Sequence, residues 1–189
     1  MELARATQVS TENATADVAT LEVHDIFVGG ERTRVGVEVP ERAKAIVVLF
    51  SGGKGVTRIT KSGELRSGTG NFLIRTRTYF VRRGFTTVVF DRPTDHPRDL
   101  RFGFRGTAAH TMDIDAVIAH LRGRYGLPVW LVETSRGTTS VVSGASQLDV
   151  HRPDGIALTS SMLGPVTNGN YVFDFSLEKI SIPALITHH

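Results

Sequence analysis

The sequence predicts an α/β fold, a mostly parallel central sheet with helices on both faces, and three observations carry that prediction. Ala45 to Phe50, Thr86 to Phe90 and Pro128 to Val132 are continuous apolar runs, with Gly155 to Leu158 and Ile182 to Ile186 as a fourth and fifth. Strands covered on both faces need such runs. Helix-length patterns separate the first three runs, and strands alternating with helices indicate a parallel sheet. Ahead of them, Leu21 to Val28 and the alternating Val35, Val37 and Val39 flank Gly29-Gly30, which reads as an antiparallel hairpin ended by Pro40.

The helices carry their own start and stop signals. Asn71 can cap a helix over Phe72 to Arg83, with Gly84 as the stop. Thr107 can cap the next, in which Ile114, Val117, Ile118 and Leu121 form one apolar stripe at i, i+3, i+4 and i+7; Gly126 and Pro128 close it. A helix rich in small residues follows Ser135.

The chain has 189 residues, enough for one domain. With 40% hydrophobic and 22% charged residues it is neither mainly disordered nor collagen-like. We read residues 1–19 as a polar tail and 20–189 as the domain. The net charge of +3 is scattered, and no basic run exceeds Arg82-Arg83, so no nucleic-acid partner is expected. No apolar run approaches the ~18 residues of a membrane span. Cysteine is absent, which excludes disulfides, thiolate catalysis and cysteine-held metals for this chain. The compartment stays open between the cytoplasm and export with a leader removed.

In open parallel sheets sites gather at the carboxyl ends of the strands. Val129 to Val132 leads through Glu133 and Thr134 into Ser135, then Arg136, Gly137 and a helix. This is the strand–turn–helix setting of a nucleophile elbow, G-x-S-x-G, whose tight turn lifts the serine clear of the sheet and aims the next backbone N–H at the atom under attack. Gly137 meets the pattern and Glu133 departs from it, giving E-x-S-x-G. A serine capping a helix fits the same residues equally well. Ser51-Gly52-Gly53-Lys54-Gly55 follows the third strand, and glycines there let the backbone approach a substrate and aim N–H groups at developing negative charge. It does not match a phosphate loop, and Gly68-Thr69-Gly70 lacks the third glycine and the preceding strand of a dinucleotide fingerprint.

The element order, with Phe90-Asp91-Arg92-Pro93-Thr94-Asp95-His96 and Thr134-Ser135-Arg136-Gly137-Thr138, resembles the α/β-hydrolase superfamily, and within it a bacterial serine-hydrolase-like group. The resemblance covers most of the chain. It implies Ser135 as nucleophile, oxyanion donors from the N–H groups of Arg136 and of Gly53 or Lys54, a small-molecule acyl substrate (ester, thioester or amide) and no cofactor. In that superfamily the acid follows the sixth or seventh strand and the histidine comes later still. The sequence ends at about the first of these places, so the resemblance implies a domain incomplete at its C-terminus and inactive as this fragment. Its open sheet edge would then be covered by its own C-terminal fragment or by a second copy.

The base is expected from sequence beyond His189, and within the chain several histidines compete for the role. His188 and His189 follow the last strand, or are residues of an expression tag; His96 lies on the rim. His110 and His120 are expected on or near the surface of the second helix, and His24 and His151 as structural. Asp91 and Asp95 read as turn residues, and no metal site is expected. Arg58, Lys61, Arg66, Arg92, Arg98, Arg101 and Arg105 make the rim-side loops basic, as a solvated surface or as a site for an anionic acyl group. The rival to a hydrolase is a non-enzymatic binding module that keeps the fold and lacks the base.

Overall fold

The structure, a computed structural model, describes residues 20–96, 98–100, 102–164 and 171–187. The polar tail, Arg101, His188 and His189 lie outside the described residues. Seven strands build one sheet: β1 (Glu22–Val28), β2 (Glu31–Glu38), β3 (Ala45–Phe50), β4 (Phe85–Phe90), β5 (Val129–Thr134), β6 (Gly155–Thr159) and β7 (Ala184–Thr187). Their order is β1-β2-β4-β3-β5-β6-β7. The hairpin pairs antiparallel within itself and with β4, and every other pairing is parallel.

The helices are α1 (Phe72–Arg82), α2 (Phe102–Arg105), α3 (Ala108–Tyr125) and α4 (Gly137–Gln147). Strand alternation distributes the apolar residues between two layers. Ile46, Val48 and Phe50 of β3, Leu131 of β5 and Ile156 of β6 join the α3 stripe and Val141, Val142 and Ala145 of α4 in the main core. Val47, Leu49 and Val132 face the other way, onto Leu73 of α1. The caps sit where the sequence puts them. Asn71 accepts from Leu73 N at 3.1 Å, Thr107 accepts from His110 N at 3.3 Å, and Gly126 ends α3 in the left-handed region at φ 64°.

Three differences from the sequence reading concern the site. The fifth strand extends two residues past its apolar run, because Glu133 and Thr134 stay in register with Leu158 and Thr159 of β6. Phe102–Arg105 forms a short helix inside an expected loop. Single 3₁₀ turns at Val172–Asp174 and Leu177–Lys179 set Val172, Phe175 and Leu177 against the main core. On the α1 side, the sheet beyond that helix bears an apolar groove of about 1020 Å³ lined by Phe72, Phe80, Trp130, Val132, Ala157 and Leu185. No helix among the described residues is long and apolar enough to cross a membrane.

Candidate active site

Ser135 lies between the last residue of β5 and the first turn of α4, with φ 56°. Left-handed φ is costly for a residue with a Cβ, so it persists only where the surroundings impose it. Here Ser135 N donates to Thr159 O at 3.3 Å, and Ser135 O accepts from Thr138 N at 3.1 Å and from Thr138 Oγ1 at 2.5 Å. The side chain is partly exposed, and its hydroxyl makes no hydrogen bond to another described residue. Gly137 is required by close packing. A Cβ there would strike the Phe50 carbonyl oxygen and come within 3.1 Å of Glu133 Cβ.

The glycine-rich loop after β3 lies against this turn. A Cβ on Gly52 would fall 3.0 Å from Ser135 Cβ and 2.9 Å from Thr134 O, so glycine is what allows the approach. Gly55 N donates to Gly52 O at 3.2 Å, closing a tight turn in which Gly53 has φ 60°. Gly53 and Lys54, next in the loop after Gly52, are exposed.

Arg105 holds this loop from below, which corrects its placement in a solvated basic rim. Arg58, Lys61, Arg66 and Arg98 are exposed and Arg92 is half-buried, but Arg105 is 1% exposed. Its guanidinium donates to Ser51 O at 3.0 Å, Leu100 O at 3.1 Å and Ser140 Oγ at 2.9 Å. Three acceptors compensate for the lost water. Burial pushes its pKa down to about 10, so it stays charged at neutral pH. The short helix α2, which the sequence reading did not foresee, supplies it.

Glu133, the departure from the elbow pattern, does not crowd the serine. Residues 129, 131 and 133 of β5 share the α4 face, so its carboxyl points under the turn and is fully buried. Oε2 accepts from Thr138 Oγ1 at 2.9 Å; Oε1 accepts from Thr159 N at 3.0 Å and Ser161 Oγ at 2.8 Å. Burial raises its pKa to about 7 against these hydrogen bonds and the Arg105 charge.

His110 is also a correction. It is fully buried, with Nε2 2.9 Å from Ser140 Oγ and Nδ1 3.9 Å from Asp113 Oδ2. It lies four residues before Ile114, so the apolar stripe extended back by one turn would have found it. Burial, then the Arg105 charge, lowers its pKa to about 3; burial raises Asp113 to about 6. Ser140, His110 and Asp113 have the residue types of a triad, but Ser140 and His110 are 0% exposed and no acyl group can reach them. Asp91 is no exposed turn residue. It is 6% exposed and accepts from Thr57 N, Ile59 N and Arg92 N at 2.9–3.0 Å.

The remaining histidines are placed as follows. His96 packs its ring on Phe104, with Nε2 3.7 Å from Asp95 Oδ2, and no hydrogen bond joins it to Ser135. His24 bonds His120 and His151 bonds Asp115, each at 2.9 Å. Thr187, the residue before His188, pairs with Thr159, whose other neighbour is Thr134. Among the described residues no three His, Asp or Glu side chains gather as a metal-ligand set.

No protein-family model and no curated protein matches the sequence. Solved structures do match. An α/β serine hydrolase homologue from Coxiella burnetii superposes with a TM-score of 0.64 at 16% identity, over 90% of this chain and 74% of that one. A cold-adapted esterase from an Arctic intertidal metagenomic library gives 0.62 at 16% identity, over 88% and 70%. An α/β serine hydrolase without a lid from Xanthomonas campestris gives 0.58 at 14% identity, over 90% and 84%. At such identities the likeness is one of fold, and the fold is that of the α/β hydrolases.

Proposed function

We propose that this α/β-hydrolase fold carries a serine hydrolase for an ester, thioester or amide, with Ser135 as the nucleophile. The observation behind the reading is the left-handed turn at Ser135, which sets beside the Gly52 backbone a hydroxyl that bonds no other described residue. Strain of this kind is kept where it serves a purpose.

In this mechanism Ser135 Oγ attacks the acyl carbon and gives up its proton to a base. The carbonyl oxygen becomes an oxyanion, facing the N–H of Arg136 and that of Gly53 or Lys54. Collapse expels the leaving group, which takes the proton, and water then repeats the sequence on the acyl-enzyme. Within this chain the candidates for the base are His188, His189 and His96. The first two follow a strand end that lies two strands from Ser135, about 10 Å away at the usual strand spacing.

Hydrolysis of p-nitrophenyl esters tests this reading. Ser135→Ala should remove the activity, and replacing the base by Asn should reduce it about 10²–10⁴-fold. A second reading, a binding module on the same fold, is favoured by one observation: among the described residues no histidine hydrogen-bonds Ser135. It requires that wild type and Ser135→Ala hydrolyse the ester equally slowly.

A further inference from the structure

The Glu133 carboxyl lies under the Ser135 turn, and the chemistry above does not use it. Its two oxygens reach three separate points: Thr138 in the first turn of α4, Thr159 at the end of β6 and Ser161 in the segment beyond. Thr138 continues the chain of contacts. Its hydroxyl lies 2.5 Å from Ser135 O and accepts from Met162 N at 3.2 Å. Ser160, between two of these points, shares the left-handed backbone of Ser135, with φ 48°. Two adjacent strand ends thus turn in the same strained way, and one carboxyl ties them together.

We propose that Glu133 is a positioning residue: it locks the Ser135 turn to the end of β6, and its protonation state decides how firmly Thr138 holds the Ser135 carbonyl. The first half stands on the contacts alone; the consequence for catalysis rests on the reading of Ser135 as nucleophile.

Thr138 has one hydroxyl proton and two acceptors, Ser135 O and Glu133 Oε2, which compete for it when the carboxyl is ionised. When the carboxyl is protonated on Oε2, it donates to Thr138, and Thr138 gives its own proton wholly to Ser135 O. Oε1 accepts from Thr159 N and Ser161 Oγ in both states. The charge that bears on Glu133 is Arg105 of α2, itself repelled by Arg136; its register partners Phe50 on β3 and Leu158 on β6 are uncharged. With the carboxyl held near neutrality by burial, both arrangements exist around pH 7.

The test uses Glu133→Ala and Glu133→Gln in the full chain, with two measurements. One is the pre-steady-state release of p-nitrophenol, which reports acylation; the other is amide hydrogen exchange at Thr138 and Thr159–Met162. Glu133→Ala removes the bonds to Thr138, Thr159 and Ser161 and should speed exchange at these amides and slow acylation about tenfold or more. Glu133→Gln keeps an acceptor for Thr159 and Ser161 and a donor for Thr138. It should restore slow exchange and most of the acylation rate, and its acylation–pH profile should keep the inflection of the histidine base while losing the second one expected near neutral pH in wild type. Wild-type exchange and acylation in Glu133→Ala would overturn the proposal. So would a Glu133→Gln acylation–pH profile with the same two inflections as wild type, which decides the matter if the alanine variant does not fold. If Ser135→Ala keeps the burst, the nucleophile reading falls, and exchange at Thr159–Met162 alone decides the lock.

Discussion

Two serines on consecutive turns of the chain divide the attributes of a catalytic serine between them. Ser140 has the histidine: its hydroxyl sits 2.9 Å from His110 Nε2, with Asp113 behind the ring. It also receives Arg105 Nη1 at 2.9 Å, lies in a regular helix and is fully buried. Ser135 has a strained turn, a partly exposed hydroxyl with no hydrogen bond to another described residue, and a glycine-rich backbone packed against it. A nucleophile needs an approach path and donors for the oxyanion, and a list of neighbouring residue types supplies neither. The comparison gives Ser140 a structural place and supports the proposal of Ser135 as the nucleophile.

Paired substitutions separate the two most sharply. Ser135→Ala should lower p-nitrophenyl ester hydrolysis at least about a hundredfold while leaving the melting temperature nearly unchanged. Ser140→Ala should do the reverse, keeping the rate within about threefold and costing about 1–3 kcal/mol in urea unfolding, because Arg105 loses an acceptor and His110 a hydrogen-bond partner. Equal effects of the two on rate would break the division.

Arg105 links the two regions, since it bonds Ser140 on one side and the Ser51 carbonyl of the glycine-rich loop on the other. Arg105→Met should cost about 3 kcal/mol through the acceptors left bare, and should lower the rate further by loosening the loop. Gly137→Ala should cost about 1–3 kcal/mol by overpacking against the Phe50 carbonyl.

The pH dependence of stability is the smallest effect. His110 is held down at about 3, below its ordinary 6.5, so its contribution is complete above 6.5 and is lost as pH falls towards 3. Glu133 is raised to about 7 from 4.5 and Asp113 to about 6 from 3.8. Their contributions are complete below the lower values and are lost as pH rises through the higher ones. His110 opposes the two carboxyls between 4.5 and 6 but offsets only one of them, so denaturant midpoints should fall as pH rises there. His110→Asn should remove the acid-side loss and Glu133→Gln part of the loss towards pH 7.

The sheet was legible because apolar runs, a Gly-Gly hairpin and three helix caps are local signals. Ser135, Gly52 and Gly137 were legible for a related reason: a sharp turn and a close backbone approach demand particular residues at fixed offsets. The burial of Arg105 and Asp91 was not, since it depends on which segments stack over the loop after β3. No local pattern marks a short helix such as α2. His110 could have been found by extending its stripe, and the place of Glu133 by continuing the strand alternation past Val132. Both were obscured by reading a titratable side chain as a sign of solvent.

The division between the two serines meets its most direct test in covalent labelling. The 189-residue chain is treated with a fluorophosphonate, which reacts with activated serines, and the adduct is located by peptide mass. The predicted result is one adduct on Ser135, absent from Ser135→Ala and retained in Ser140→Ala. An adduct on Ser140, or labelling that survives Ser135→Ala, would contradict it.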